Sequence, residues 1–172
     1  MSFALVPDKV HEQTLARLMT QYGDSLLRLC CVYLRDRALA EDAVQETFLK
    51  AFKALAAVRK ESSEKAWLTH IAVNTCRDCL RTAWMRHIDR KTPLDSLPEP
   101  AASDEIPDDP VIREVMRLPQ RLREVVLLRY YQNLKIRETA EALNISEEAV
   151  KARLRRANER LRQRLEGWYD DE

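Results

Sequence analysis

Glycine is nearly missing from this chain, with two residues in 172. That excludes the glycine-rich loops that cradle phosphates and leaves little material for tight hairpins. Aromatics make up only 6% of the chain. Histidine occurs three times, at His11, His70 and His87, without a clear carboxylate to orient any of them. A nucleophile–base constellation therefore has little to build on, and no enzymatic activity is expected. No apolar run approaches the length of a membrane span, and the N-terminus lacks a basic segment followed by an apolar core. The expectation is a cytoplasmic protein with no direct membrane insertion. Net charge is only +1 despite 29 basic and 28 acidic residues, so any nucleic-acid surface must come from local segregation of charge.

What the chain has in quantity is Ala, Leu, Arg and Glu, a composition that points to an all-α fold. Its four cysteines fall as the adjacent Cys30 and Cys31 and as Cys76-x-x-Cys79. Those spacings allow a zinc site in principle, with His70 as a further ligand. Against it, Cys76 and Cys79 lie in a helical stretch with no knuckle glycine, and Cys30 and Cys31 leave one helix in different directions. Core thiols are the better reading, with no metal and no cofactor.

The most informative stretch runs from Ile136 to Ala157. It reads as a short helix, a tight turn and a second helix loaded with arginine. Thr139, Ala140 and Leu143 close the first helix onto the second, and Ala140 is small enough to let the axes approach. Asn144 suits the turn because a short polar side chain tolerates left-handed backbone angles. Ser146 is a natural N-cap for the next helix. There Val150, Leu154, Ala157, Leu161 and Leu165 form one apolar stripe, and Lys151, Arg153, Arg155, Arg156, Arg160, Arg162 and Arg164 take the other faces. This is the pattern of a helix-turn-helix that sets its second helix in a DNA major groove. A charge-rich helix face is by itself most often just solvated; the turn and the preceding helix shift the balance to DNA binding.

The prolines show the organisation. Five of seven fall between Pro93 and Pro110, in a segment with six acidic residues and no basic one. Such a segment buries little and is expected to be an extended acidic linker. It divides the chain into residues 1–92, a linker at 93–110 and residues 111–172. The first part is expected to hold helices from about His11 to Leu34, Leu39 to Leu55 and Ala66 to Arg86. On the second of these Leu39, Ala43, Val44, Phe48, Ala51 and Leu55 face inward, and Glu41, Asp42, Gln45, Glu46, Lys50 and Lys53 face outward. A polar loop from Arg59 to Lys65 precedes the third, which mixes Trp67, Leu68, Ile71 and Ala72 with Arg77, Arg81, Trp84 and Arg86. Arginines interleaved with aromatics suit a surface that handles unstacked bases, although Trp67 itself reads as core. In the last part, Leu118-Pro119 opens a helix through Leu122, Val125, Val126 and Leu128.

Three runs in this order, Glu41 to Phe52, Ala66 to Thr75, and Leu118-Pro119 before the helix-turn-helix, resemble bacterial RNA polymerase sigma factors of the extracytoplasmic-function type. The resemblance covers almost the whole chain. It implies two small helical domains, domain two and a helix-turn-helix domain four, in a subunit that binds core RNA polymerase and directs it to promoters. By similarity, Asp42, Gln45, Glu46 and Phe48 dock on the clamp helices of the beta-prime subunit, and domain four meets the beta flap. Two carboxylates and an amide can pair with an arginine-rich coiled coil while Phe48 anchors. Arg59, Lys60, Asn74, Arg77 and Arg81 fall where the family captures the −10 strand, with the amide reading a base and the cations holding the backbone. Val58 stands where some relatives carry an aromatic that lines this pocket, so weaker stacking or a different preferred base is expected there; the loop also lacks the glycine common in relatives, which leaves its shape open. Lys151, Arg153, Arg155 and Arg156 fall on positions that contact the −35 element, with Arg153 nearest the apolar stripe. Ala149 replaces a threonine often seen there. An anti-sigma factor is a further expected partner, and the linker would permit a compact free state that hides Lys151 to Arg156.

Two other readings compete. A ligand-sensing or dimeric transcription regulator would use the same helix-turn-helix, but it leaves the Glu41–Phe52 face without a purpose. A zinc- or thiol-dependent sensor or enzyme would rest on the cysteines alone.

Overall fold

A computed structural model describes residues 9–57, 63–89 and 109–169, with the side chains of 84–89 and 167–169 left aside. Seven α-helices follow in order among the described residues: α1 Lys9–Leu34, α2 Arg37–Ala54, α3 Glu64–Asp89, α4 Pro110–Met116, α5 Gln120–Val126, α6 Ile136–Leu143 and α7 Glu147–Tyr169. There is no strand among them, as the composition implies. The acidic linker of 93–110 lies outside the described residues except for its last two positions.

Helices α1 and α2 form a hairpin. Arg35 ends α1 in a left-handed conformation at φ 57°, and its N–H donates to Cys31 O at 2.8 Å. Asp36 then caps α2, its carboxylate accepting from Leu39 N–H at 3.0 Å. The buried side of α2 runs along Ala40, Ala43, Thr47, Phe48 and Ala51. The small residues among them let neighbouring axes approach closely, and the packing settles on them. Leu39, expected to face inward, consequently points away and is 41% exposed. Phe48 is buried as expected, while Val44 and Leu55 are only partly so.

Helix α3 starts two residues earlier than its apolar pattern implies. Ser63 accepts from Ala66 N–H at 3.3 Å as a cap. Glu64 in the first turn is held by Arg17 of α1 through contacts of 3.0 and 2.6 Å. Buried Leu68, Ala72, Val73 and Cys76 bring α3 onto the hairpin, with Trp67 half-buried against the same core.

The C-terminal half opens with Asp109, which caps α4 by accepting from Val111 N–H at 2.8 Å, with Pro110 in the first turn where its missing N–H costs nothing. The helix expected from Leu118-Pro119 is α5. It continues as a π-helical turn, Leu127–Tyr131. The wider turn is closed by Gln132 N–H on Leu127 O and Leu134 N–H on Leu128 O, both at 3.0 Å. The extra residue per turn rotates Gln132 inward, where it is 3% exposed. Asn133 then reverses the chain at φ 55°.

The two halves share one apolar core, because α3 packs on α2 along one side and on α6 along the other. This apposition brings residues nearly a hundred positions apart into hydrogen-bond contact.

Candidate nucleic-acid interface

The helix-turn-helix is built as its residues dictate. Asn144 caps α6 in the left-handed region, at φ 53° and ψ 49°. Ile145 N–H returns to Ala140 O at 3.0 Å. Ser146 Oγ accepts from Ala149 N–H at 3.1 Å and so starts α7. At the opposite end of α6, Glu138 reaches back to accept from Lys135 N–H at 2.9 Å. Val150, Leu154 and Ala157 are buried against the rest of the domain, with Leu161 partly so. That stripe fixes the roll of α7 and turns Lys151, Arg155 and Arg156 to solvent, while Arg153 is half-buried as its nearness to the stripe implies. The compact state does not hide these cations; what it covers lies in the other half.

A continuous chain of hydrogen bonds crosses α3. Ala142 O at the end of α6 pairs with His70 Nδ1 at 2.7 Å. His70 Nε2 pairs with Asn74 Nδ2 at 3.2 Å. Since the carboxamide nitrogen only donates, Nε2 accepts and Nδ1 carries the proton to Ala142 O. Asn74 Oδ1 accepts from Arg77 Nη1 at 3.3 Å. Arg77 then grips Glu124 of α5 with a fork, Nε to Oε1 at 2.8 Å and Nη2 to Oε2 at 2.6 Å. Glu124 also accepts from Tyr33 OH of α1 and from Gln120 Nε2 at 3.2 Å. Arg123 lies over the Tyr33 ring, 5.8 Å from its centre.

Glu124 is 1% exposed, so its charge stands or falls by these donors. Burial pushes its carboxyl pKa up, but donation from Arg77, Tyr33 and Gln120 outweighs burial and leaves it below the usual value. Burial, reinforced by the Glu124 charge, raises the Tyr33 phenol. The hydrogen bond to Glu124 raises Arg77 further, against its own partial desolvation. Gln132 makes a second clasp, accepting from Ser25 Oγ at 2.7 Å and donating to Ser25 O at 2.9 Å. Lys65 Nζ donates to Gln132 O at 2.6 Å.

Of the expected −10 set, Asn74 and Arg77 are brought together within α3, and Arg77 is tied to Glu124 of the C-terminal half. Arg81 stays outside the network and pairs with Asp78 on the open surface. Arg59 and Lys60 lie outside the described residues. Glu124, Tyr33, Gln132 and Ser25 were not expected at the site. Glu124 sits just before an apolar run, the one hint a sequence offers, but its partner Arg77 is 47 positions away.

Asp42, Gln45 and Glu46 are exposed along α2. Beside them α1 and α2 enclose a groove of about 900 Å³, lined by Leu15, Met19, Leu27, Val44, Phe48 and Phe52 and rimmed by Glu41 and Gln45. Met19 and Leu49, which both line it, are 50% and 57% exposed. Phe48 is the floor of an apolar groove flanked by carboxylates. Large exposed apolar patches with a charged rim mark places where another protein binds. A second, smaller groove of about 450 Å³ lies between α4, the π-turn and α7, lined by Val111, Ile112, Leu127, Tyr130 and Leu161.

The cysteines pack in the core. Cys30 and Cys76 are fully buried with their sulfurs 3.5 Å apart, Cys31 is buried and Cys79 half-buried. The contact with Cys30, together with burial, keeps the Cys76 thiol strongly protonated. No group of three or more metal-ligating side chains occurs among the described residues, and none of the described helices is long and apolar enough to cross a membrane.

Comparison with known proteins places two family models on the chain, Sigma-70 region 2 over residues 18–86 and Sigma-70 region 4 over residues 109–161. The chain is 30% identical to the RNA polymerase sigma factor SigV of Bacillus subtilis, over 88% of its own length and 90% of that protein. It is 29% identical to the probable RNA polymerase sigma factor RfaY of Xanthomonas campestris pv. campestris, over 92% of its own length but only 42% of the relative's. In fold it is similar to the sigma factor RpoE solved with the anti-sigma factor NepR from Bartonella quintana, with a TM-score of 0.73 at 21% identity over 90% of this chain and 98% of that one.

Proposed function

We infer that this chain, which belongs to the bacterial RNA polymerase sigma factors of the extracytoplasmic-function type, works as an alternative sigma factor: it binds core RNA polymerase and directs initiation at specific promoters. It has no catalysis of its own. The observation that carries the reading is one fold presenting two separate surfaces of opposite character. An exposed basic helix follows a capped helix-turn-helix, and an apolar groove with an acidic and amide rim lies on the α1–α2 hairpin.

The working division is residues 1–92 as domain two, 93–110 as the linker and 111–172 as domain four. Asp42, Gln45 and Glu46 pair with basic side chains of the beta-prime clamp helices, with Phe48 beneath them as the apolar floor. Domain four meets the beta flap. Lys151, Arg155 and Arg156 hold and read the −35 duplex, with Arg153 in a supporting place. Arg59, Lys60, Asn74, Arg77 and Arg81 capture the −10 strand once it is melted. The protein works in the cytoplasm. An anti-sigma factor is a further partner, in keeping with the complex solved for the similar RpoE.

The test is run-off transcription with purified core polymerase, this protein and a library of genomic promoters. Defined start sites sharing two spaced motifs are expected, lost when Asp42 and Glu46 are both replaced by Ala. No protein-dependent starts, alongside tight duplex binding without polymerase, would replace this reading with that of an ordinary regulator.

A further inference from the structure

We propose that Cys30 and Cys76 form a dithiol placed to close into a disulfide between α1 and α3, and that a peroxide reaches the pair through Cys79. These groups have no part in polymerase binding or promoter recognition as inferred above, so the proposal stands without the sigma reading.

Three observations carry it. First, the two sulfurs already touch between the helices, 3.5 Å apart, on side chains that are 0% and 1% exposed. A disulfide bond is about 2.05 Å long, so closure asks for a movement of roughly 1.5 Å, which χ rotation of two short side chains can supply. Second, Cys79 follows Cys76 by three positions on α3 and so stands on the neighbouring turn. It is half-buried, whereas the other three thiols are buried. Third, Cys79 lies close enough to Cys30 for their charges to interact, so the three sulfurs form one cluster.

The buried pair does not meet an oxidant directly; Cys79 does. Burial raises the Cys79 thiol pKa, which keeps its thiolate scarce and the first step slow. That thiolate attacks one oxygen of the peroxide and the O–O bond breaks. The second oxygen leaves as hydroxide and takes up the thiol proton to become water, leaving a sulfenic acid at Cys79. The Cys76 sulfur displaces that hydroxyl, which departs with the Cys76 proton as a second water. Residues three apart on a helix hold their Cβ atoms about 5–6 Å apart, wider than the roughly 3.5–4.5 Å of a relaxed disulfide. The Cys76–Cys79 bridge is therefore strained. Cys30 attacks the Cys76 sulfur, breaks that bridge and gives its proton to Cys79, which returns as a thiol. In sum two thiols and one peroxide yield one disulfide and two waters, the sulfurs of Cys30 and Cys76 losing two electrons to the peroxide. The product joins positions 46 residues apart, so it restricts the unfolded chain and locks α1 onto α3 until a thiol reductant reopens it.

The experiment exposes the reduced full-length protein to hydrogen peroxide under native conditions, then alkylates the remaining thiols in denaturant and maps peptides by mass. Wild type should yield a Cys30–Cys76 bridge, with Cys31 and Cys79 alkylated. Its urea midpoint should rise by about 1–2 M for a loop of this length and fall back on reduction. Cys30→Ala and Cys76→Ala should each abolish the bridge and the shift. Cys79→Ser should slow closure about tenfold or more, since the buried pair then lacks its exposed entry. Four unreacted thiols at a peroxide level that oxidises free cysteine would overturn the proposal. So would a Cys76–Cys79 bridge or a Cys79 sulfinic acid as end product, closure at the wild-type rate in Cys79→Ser, or a bridged chain with an unchanged midpoint. The wild-type map requires no variant, and Cys79→Ser alters only the half-buried position, so the test survives if the core substitutions fail to fold.

Discussion

Replacing Tyr33 by Phe removes one hydroxyl from the seam between the halves and leaves its ring in place. Tyr33 is 3% exposed and its acceptor Glu124 1%, so water does not take over the lost donation. A hydrogen bond to a charged group contributes about 1.5–3 kcal/mol, against about 0.5–1.5 for a neutral pair. Glu124 keeps its fork from Arg77 and a donor from Gln120. The loss should therefore fall at the lower end, about 1.5 kcal/mol. Urea unfolding followed by circular dichroism measures it, in wild type and in a Glu124→Gln background. In that background the charged acceptor is gone, so removing the hydroxyl should cost less than it does in wild type, and the difference is the coupling between the two positions. The pH dependence has a definite sign. The folded Glu124 carboxyl lies below its ordinary 4.5, so its contribution is present above that value and is lost as pH falls through the folded pKa. The Tyr33→Phe difference should be flat near neutral pH and shrink in acid. A loss below about 0.5 kcal/mol at neutral pH, or equal losses in both backgrounds, would refute a charge-assisted contact between the halves.

Two further predictions concern the C-terminal half. Lys151→Ala, Arg155→Ala and Arg156→Ala should each reduce the salt slope of binding to a −35 duplex by about one, with a smaller change for the half-buried Arg153→Ala; anisotropy titrations across a salt series read this, and unchanged slopes would remove α7 from the DNA. Asn144 holds a left-handed angle, so Asn144→Gly should stay within a few tenths of a kcal/mol of wild type while Asn144→Val loses about 1–2 kcal/mol. Urea midpoints compare the two, and equal midpoints would show that the turn relaxes to another geometry.

Much of this protein is local in origin and was legible from the chain. The turn at Asn144 and the cap at Ser146 depend on side chains bonding to backbone a few residues away, so residue type alone indicates them. The apolar stripe Val150, Leu154 and Ala157 follows helical period and fixes which cations of α7 face outward. The acidic and amide face of α2 is legible for the same reason. Leu39 was misplaced because period gives a stripe without saying which edge of it meets the neighbour, and the small residues Ala40, Ala43, Thr47 and Ala51 took the buried side. Ser63 extended α3 by a cap that the apolar pattern does not register. The π-turn that points Gln132 inward has no sequence periodicity to announce it.

The sequence by itself determined an all-helical chain, its helix-turn-helix, the exposed cations of α7 and the acidic and amide face of α2, because each of these is a matter of period, capping and local charge. Only the tertiary structure decided that Arg77 is tied to Glu124 across the halves while Lys151, Arg155 and Arg156 stay exposed. That outcome depends on Glu124, Tyr33 and Gln132 meeting Arg77 and Ser25 across the packing of α3 between α2 and α6. Pairings at separations of 47, 91 and 107 residues leave no mark on the local pattern of either partner. They exist because the shared apolar core brings the helices together first, and the buried polar groups must then find one another.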